Sequence, residues 1–359
     1  MVLSAKNNSS VAEPVGPGFL RCDVACDVAE NARRFVFTVL NEQREEEYVP
    51  GRYLILEYAG AAGQVRTACY SIVACPTRWQ VEIIVQRVPS KGLSETMFNH
   101  LMVGALVRCV GVAGDITAQQ LSGLDSVALL AGGIGFTLPW ALIREFRQWA
   151  RQGRRVPRIT LLLCTPSLEA VPCFAELMTL ELTERWLTLR IHVTRQSLYQ
   201  DNGSLWRGRP SQQVLDALAA SQGIVICGSQ AFAVGMHQAM QVRHGGAQYF
   251  IEAFSSADSP LPAKQADTGT VRLKIPASGA EFDAVQSLTL LEQLESQGLK
   301  VRSQCRAGIC GACKIKVLKG ECRSEADFAL SAQERAAGYA LACCSYPVGD
   351  ELTLCLRTS

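Results

Sequence analysis

Short apolar runs separated by polar, turn-forming stretches dominate the first third of the chain. FVFTV (Phe35–Val39), YLILEY (Tyr53–Tyr58) and VEIIVQ (Val81–Gln86) are rich in β-branched and aromatic residues, and Pro50-Gly51, Gly60 to Gly63 and Pro76 punctuate them. The pattern predicts strands from about Phe19 to Ile116, arranged as an antiparallel barrel or sandwich. From about Asp125 the pattern changes. VALLA (Val127–Ala131), ITLLLC (Ile159–Cys164), LTLRIHV (Leu187–Val193) and IVIC (Ile224–Cys227) are largely apolar runs with helical stretches between them. Such runs predict a parallel sheet covered on both faces, in an α/β unit. Ser255 to Thr270, rich in Ser, Pro, Ala and Asp, reads as a linker. The last unit opens with a strand at Val271–Pro276. A helix follows over Ser287–Gln297, with Ser287 as N-cap and Gly298 just past its end, and then a cysteine-rich loop. The partition predicted is a flexible 1–16, a barrel over 17–120, an α/β unit over 121–254, a linker over 255–270 and a compact α+β unit over 271–359.

Composition narrows the class. A length of 359 residues suits two or three domains, and 48% hydrophobic with 19% charged residues rules out wholesale disorder. A net charge of +2 gives no reason to expect nucleic acid as a partner. The uncharged stretch Ser126 to Ile143 is broken by Gly132, Gly133, Gly135 and Pro139, so no membrane span is expected. The opening MVLSAKNNSSVAEP has no apolar signal core. With fifteen cysteines, the expectation is a cytoplasmic protein in which some thiols bind metal and the rest pack as small hydrophobes. The basic stretch Arg144 to Arg158 reads as an ordinary helix. Leu142, Ile143, Phe146 and Trp149 make its buried face, its arginines gather in the last turns, and Gly153 stops it.

The most specific chemistry lies in QCRAGICGACKIKV. Cys305, Cys310 and Cys313 are spaced C-x4-C-x2-C, and Cys343 follows in LACC. This is the plant-type [2Fe–2S] ligand spacing. Gly308 and Gly311 let the loop curl and aim its N–H groups inward, while Ala307 and Ala312 keep bulk away. A zinc site with four cysteine ligands is the alternative, although zinc sites usually pair two C-x2-C units and only one is present. Cys344 competes with Cys343 as the fourth ligand. The segment resembles plant-type ferredoxin domains over about residues 270 to 359, and the resemblance selects Cys343.

Phosphate- and ring-binding signals precede it. AGGIGFTLP (Ala131–Pro139) follows an apolar strand and opens a helix, so its glycines permit a pyrophosphate to approach a helix N-terminus. KGLS (Lys91–Ser94) is a glycine turn opening a helix over Glu95–His100. With RTACYSI (Arg66–Ile72), GVAGDI (Gly111–Ile116), ICGS (Ile226–Ser229) and EAF (Glu252–Phe254), these stretches resemble, in order, the motifs of the ferredoxin–NADP reductase superfamily. The resemblance implies that Tyr70 and Ser71 lie along an isoalloxazine. It implies that Gly92 and Ser94 hold the flavin phosphates, and that Gly133, Gly135 and Thr137 hold the nicotinamide nucleotide. Cys227 and Gly228 would lie near the hydride-transfer carbon, and Glu252 and Phe254 against the flavin. The family's phosphate-binding Arg is replaced by Ala68, with Arg66 two residues earlier as the candidate substitute. Ile116 stands where FAD-binding members carry Phe, and Ser229 where the family has Pro. The GVAGDI stretch favours FAD over FMN. Arg195, after the third parallel strand, favours NADPH slightly over NADH.

Taken together, these signals resemble three-domain reductases carrying a flavin barrel, a nicotinamide α/β domain and a C-terminal β-grasp [2Fe–2S] domain. What that implies is an NAD(P)H:acceptor oxidoreductase. Hydride delivers two electrons, a cluster takes one, and flavin converts between them. The expected partner is a protein acceptor, either an oxygenase component or a hybrid-cluster protein. No catalytic acid or nucleophile is expected. Two other readings remain open at this point: a redox-sensing, regulatory flavoprotein without significant turnover, and a zinc-stapled flavoprotein acting on small molecules.

Overall fold

A computed structural model describes residues 18–40, 48–59, 65–88, 93–243, 246–254, 269–303, 308, 311–324 and 329–356. Six strands come first: β1 (Gly18–Ala29), β2 (Ala32–Val39), β3 (Tyr53–Ala59), β4 (Val65–Ala74), β5 (Gln80–Gln86) and, after helix α1 (Leu93–His100), β6 (Leu106–Ala113). They close into an antiparallel barrel in the order β1-β2-β5-β4-β3-β6. Of the two arrangements open from the sequence, the barrel is the one formed.

Alternation explains what the barrel faces. Phe35, Phe37, Val81, Ile83 and Val85 point into its interior with Leu54, Leu56 and Ile72. Ala32, Val73 and Ile84 point outward but are also buried, because helix α3 (Thr137–Arg151) packs over them. That is why β5 reads as a nearly unbroken apolar run. Ile116, at the end of GVAGDI, joins the same outer cluster.

The second unit follows a short helix α2 (Ala118–Leu121). Its strands are β7 (Ser126–Gly132), β8 (Arg158–Thr165), β9 (Leu187–Val193), β10 (Leu205–Arg207), β11 (Gly223–Ser229) and β12 (Gln248–Phe254). All pair in parallel in the order β10-β9-β8-β7-β11-β12. Helix α3 and α4 (Phe174–Thr183) cover one face, and α5 (Gln212–Ala219) and α6 (Gln230–Gln241) cover the other. Along β7, Val127, Leu129 and Ala131 face the first pair, and Ala128 and Leu130 the second. The chain order reverses between β7 and β11. A crevice therefore opens at their carboxyl ends, the usual ligand position in such sheets.

The third unit is a mixed sheet in the order β14-β13-β17-β15-β16, built from β13 (Thr270–Ile275), β14 (Ala280–Val285), β15 (Lys314–Ser324), β16 (Tyr339–Leu341) and β17 (Ser345–Leu356). Helix α7 (Leu290–Ser296) buries Leu290, Leu291 and Leu294 in its core, and a short α8 (Ala332–Ala336) precedes β16. This is the β-grasp α+β arrangement expected. Two local expectations are corrected. The cap of α7 is Thr289 rather than Ser287, because Thr289 and Glu292 form a reciprocal capping box. Helix α1 starts at Leu93 rather than Glu95, so Ser94 lies inside its first turn; Leu93 and Met97 anchor that turn in the barrel core.

Candidate active site

Four sequence-predicted residues converge at the crevice from four elements. Ser71 comes from the barrel strand β4, Thr137 opens α3, Cys227 stands near the end of β11, and Glu252 lies opposite it on β12. The Ser71 hydroxyl donates to Glu252 Oε1 at 2.8 Å. Thr137 Oγ1 donates to Ser71 Oγ at 3.3 Å, and Cys227 Sγ donates to Glu252 Oε1 at 3.8 Å. A chain of hydrogen bonds thus runs from the helix start, through the barrel, to a carboxyl on the last parallel strand.

Desolvation sets the electrostatics. Glu252 is densely surrounded while keeping some contact with the crevice, and this burial, helped by the Asp115 charge, pushes its carboxyl up to about 7 against the bonds from Ser71 and Cys227. Burial first, and then the Glu252 charge, push the Cys227 thiol well above its ordinary range. Cys227 is therefore a neutral thiol at physiological pH, a small polarizable wall rather than a nucleophile. Glu252 thus titrates near neutrality.

The backbone makes the other wall. A 3-10 turn, Gly133–Phe136, joins β7 to α3. Gly133 has φ of +54° and open space where a side chain would be. A Cβ on Gly135 would stand 2.3 Å from the Cys227 carbonyl oxygen, so only glycine lets α3 start this close to β11. Gly228 and Gly132 both pack against the Phe232 ring, with a Cβ on either meeting it at 2.7 Å. Leu138, the residue added before Pro139, is fully buried in the core shared with the barrel.

Other predicted residues stand further off. Tyr70 lies on the opposite face of β4 from Ser71 and packs, half-buried, against the barrel core. Phe254 ends β12, two residues past Glu252. Arg195 is exposed just beyond β9, two strands from the glycine turn, and its backbone N–H donates to the Pro166 carbonyl. Gly92 and the Arg66 side chain lie outside the described residues.

The second constellation is in the third unit. Cys313 and Cys343 are buried with their sulfurs 3.2 Å apart, and the Ala342 N–H donates to the Cys313 carbonyl, tying the two segments together. Two thiolates on one tetrahedral metal ion with bonds of ~2.3 Å stand roughly 3.7 Å apart, so this pair is close to ligating separation. Gly308 and Gly311 have φ of +77° and +69°, which lets the loop curl where a side-chain-bearing residue would be strained. Cys305 and Cys310 lie outside the described residues, and among the described residues no group of three or more ligating side chains is gathered. Cys344 Sγ is 3.5 Å from Cys343 Sγ and accepts a hydrogen bond from Gln230 Nε2 at 3.3 Å.

Comparison with known proteins bears on both constellations. Residues 273–348 match the family model of the 2Fe-2S iron-sulfur cluster binding domain. That span contains all four predicted ligands. Over longer stretches the chain is similar to NADH oxidoreductase HCR of Escherichia coli (strain K12), with 26% identity over 84% of this chain and 88% of that protein. It is also similar to the ferredoxin reductase component of 3-ketosteroid-9-alpha-monooxygenase of Rhodococcus rhodochrous, with 26% identity over 96% of this chain and 99% of that one. Among solved structures, phthalate dioxygenase reductase, described as modular for electron transfer from pyridine nucleotides to [2Fe-2S], shares the fold with a TM-score of 0.59 and 22% identity, over 94% of this chain and 97% of that chain. The arrangement of barrel, parallel sheet and C-terminal mixed sheet is thus the fold shared with that structure. No helix among the described residues is long and apolar enough to cross a membrane.

Sequence reasoning missed two features. Glu82 on β5 is a buried carboxylate held by Arg144 from α3 at 2.7 Å and by Arg34 from β2 at 3.2 Å. In the sequence it is a lone acidic residue in an apolar strand, with nothing local to mark it as buried. The other feature is Gln230, which looks like any polar residue at a helix start.

Proposed function

We propose that the chain is an NAD(P)H:acceptor oxidoreductase that passes electrons from a nicotinamide coenzyme through a flavin to a [2Fe–2S] cluster and on to a protein acceptor, an oxygenase component or a hybrid-cluster protein. The observation that carries it is the meeting of Ser71, Thr137, Cys227 and Glu252, which joins a barrel strand to the switch-point crevice of a parallel sheet. That crevice suits a nicotinamide facing a flavin ring, and the named relatives support the same reading. Bound there, flavin would supply the exchange of an electron pair for the single electrons an iron–sulfur cluster accepts.

The chain's own residues position and exclude. Gly133 and Gly135 let backbone N–H groups and the start of α3 face a pyrophosphate, and Thr137 holds Ser71 in place. Ser71, hydrogen-bonded to Glu252, presents its oxygen toward the reacting face. Cys227 and Gly228 keep that side small and dry, and Phe254 closes the end of β12. Tyr70, Gly92, Ser94 and Arg66 are assigned to the flavin, and FAD is the favoured form. Arg195 is assigned to the adenosine ribose. Cys305, Cys310, Cys313 and Cys343 are assigned as cluster ligands, with Cys344 outside the set. The units involved are the flavin barrel 17–120, the nicotinamide domain 121–254, the linker 255–270 and the ferredoxin domain 271–359. NAD(P)H and thiolate ligation belong to a reducing compartment, which is why we place the chain in the cytoplasm.

Anaerobic titration of the purified protein with NADH and with NADPH, followed by visible and EPR spectra, tests this reading. Bleaching of flavin absorption and a reduced [2Fe–2S] signal are expected. Cys343→Ser abolishes the signal, while Cys344→Ser keeps it. Zinc in place of iron, or a flavin that no coenzyme bleaches, overturns the proposal.

A further inference from the structure

Helix α6 has two occupied sides at its first turn. On the inner side, the Phe232 ring packs on Gly132 and Gly228, and the cap Ser229 accepts the Phe232 N–H. This seats the turn rigidly on the carboxyl ends of β7 and β11. On the outer side, Gln230 Nε2 donates to Cys344 Sγ of the ferredoxin unit at 3.3 Å, with both residues buried. Val234, one helical turn on, packs against that unit's core. Only Gly228 and Ser229 separate Gln230 from Cys227 at the nicotinamide end, and Cys344 is covalently next to Cys343.

We propose that Gln230 is a positioning residue that docks the iron–sulfur unit onto the first turn of α6, holding Cys343 at a set place relative to Cys227 and Glu252. The assignment rests on the reductase reading above and adds to it the surface through which the cluster unit is held. A buried side-chain amide keeps its place only while its donors are satisfied, and the acceptor here is supplied by the other unit. The sulfur it meets is not needed as a ligand. That frees Cys344 to act as a docking group on the loop that carries Cys343. Electron transfer between centres slows as their separation grows, so a cluster unit that is no longer held against α6 passes electrons more slowly.

A double-mutant cycle on the full-length, cofactor-loaded protein tests the contact. In stopped-flow experiments with NADH, Gln230→Ala is expected to bleach flavin at the parent rate while the following cluster reduction slows about tenfold. Cys344→Ala does the same, the double variant slows no further than either single variant, and Cys344→Ser, which keeps an acceptor, recovers most of the rate. Hydrogen exchange gives a readout that does not depend on turnover. Amides of the α6 first turn and of residues 339–346 exchange faster in Gln230→Ala and Cys344→Ala, but not in Cys344→Ser. Parent rates and parent exchange in both alanine variants overturn the proposal, and so do slowings that multiply to about a hundredfold in the double variant. Failure of the reductase reading is recognisable separately. There the parent protein shows no flavin bleaching, and the exchange experiment still decides whether the contact exists.

Discussion

Glu252→Gln isolates a crevice group that titrates near neutrality. Burial pushes its carboxyl from an ordinary value of 4.5 to about 7. At ~1.36 kcal/mol per pH unit, that displacement corresponds to at most about 3 kcal/mol between the protonated and ionised forms. The sign follows from proton binding. The folded protein holds this proton where the unfolded chain has released it, so the contribution is complete below pH 4.5. It is lost as pH rises through about 7. Glutamine mimics the protonated form at every pH. Denaturant titrations from pH 5 to pH 8.5 should therefore show the parent losing up to about 3 kcal/mol relative to Glu252→Gln across that window. Glu252 accepts the Ser71 hydroxyl, so the same proton also sets the polarity of the reacting face. The rate of flavin bleaching by NADH should bend near pH 7 in the parent and lose that bend in the variant. A stability difference that stays constant over the whole range, with a bend that survives in Glu252→Gln, would refute the reasoning.

Glu82→Ala leaves the Arg34 and Arg144 guanidinium groups facing each other across the seam between the barrel and α3, and should lower stability by about 3 kcal/mol in chemical denaturation; a loss under about 1 kcal/mol contradicts the ion cluster. Gly135→Ala drives a Cβ into the Cys227 carbonyl and should cost about 1–3 kcal/mol while slowing flavin bleaching, and a parent-like rate would mean that this close approach is not required. Arg195→Ala should lower kcat/KM for NADPH about tenfold and leave NADH nearly unchanged, the size of one lost charge-assisted contact to a 2′-phosphate. Equal kcat/KM for both coenzymes in the parent removes that argument.

The parallel sheet was legible because its central strands are buried on both faces. VALLA was read as Val127–Ala131, and β7 buries all five of those residues. The face of α3 was equally plain: Leu142, Ile143, Phe146 and Trp149 are all buried. The cap of α7 was misread although a signal existed. Thr289 has Glu292 three residues on, whereas Ser287 has no such partner. The crevice residues were readable as a resemblance, but their chemistry was not. The displacement of Glu252 comes from burial where four elements meet, opposed by the bond from Ser71, 181 positions away, and helped by Asp115, and no local window holds that information. Glu82 was illegible for a related reason. Its burial is created by α3 docking on the outside of the barrel, so strand alternation alone assigns it to solvent.

The two seams of the molecule differ in kind. Barrel and parallel sheet share one continuous apolar cluster, in which Ala32, Val73 and Ile84 lie with Leu138, Leu142 and Phe146. Glu82 with its two arginines, Arg34 with Glu176 at 3.2 Å, and the Ser71–Glu252 bond add polar contacts across that seam. Among the described residues the ferredoxin core, by contrast, is a separate cluster that touches the sheet unit through Val234 and the Gln230–Cys344 bond. A shared core cannot part without exposing all of its apolar surface, while a seam between two separate cores opens at smaller cost. The division suits the proposed task. Coenzyme and flavin need a fixed geometry for hydride transfer, so the elements that hold them are fused. The cluster must serve an outside acceptor as well as the flavin, and a docked but separable unit allows both. Cross-linking barrel to sheet should therefore leave turnover intact. Cross-linking the ferredoxin unit to α6 should preserve cluster reduction yet block delivery to a protein acceptor, and unimpaired delivery from the locked form would show that the unit never needs to leave its dock.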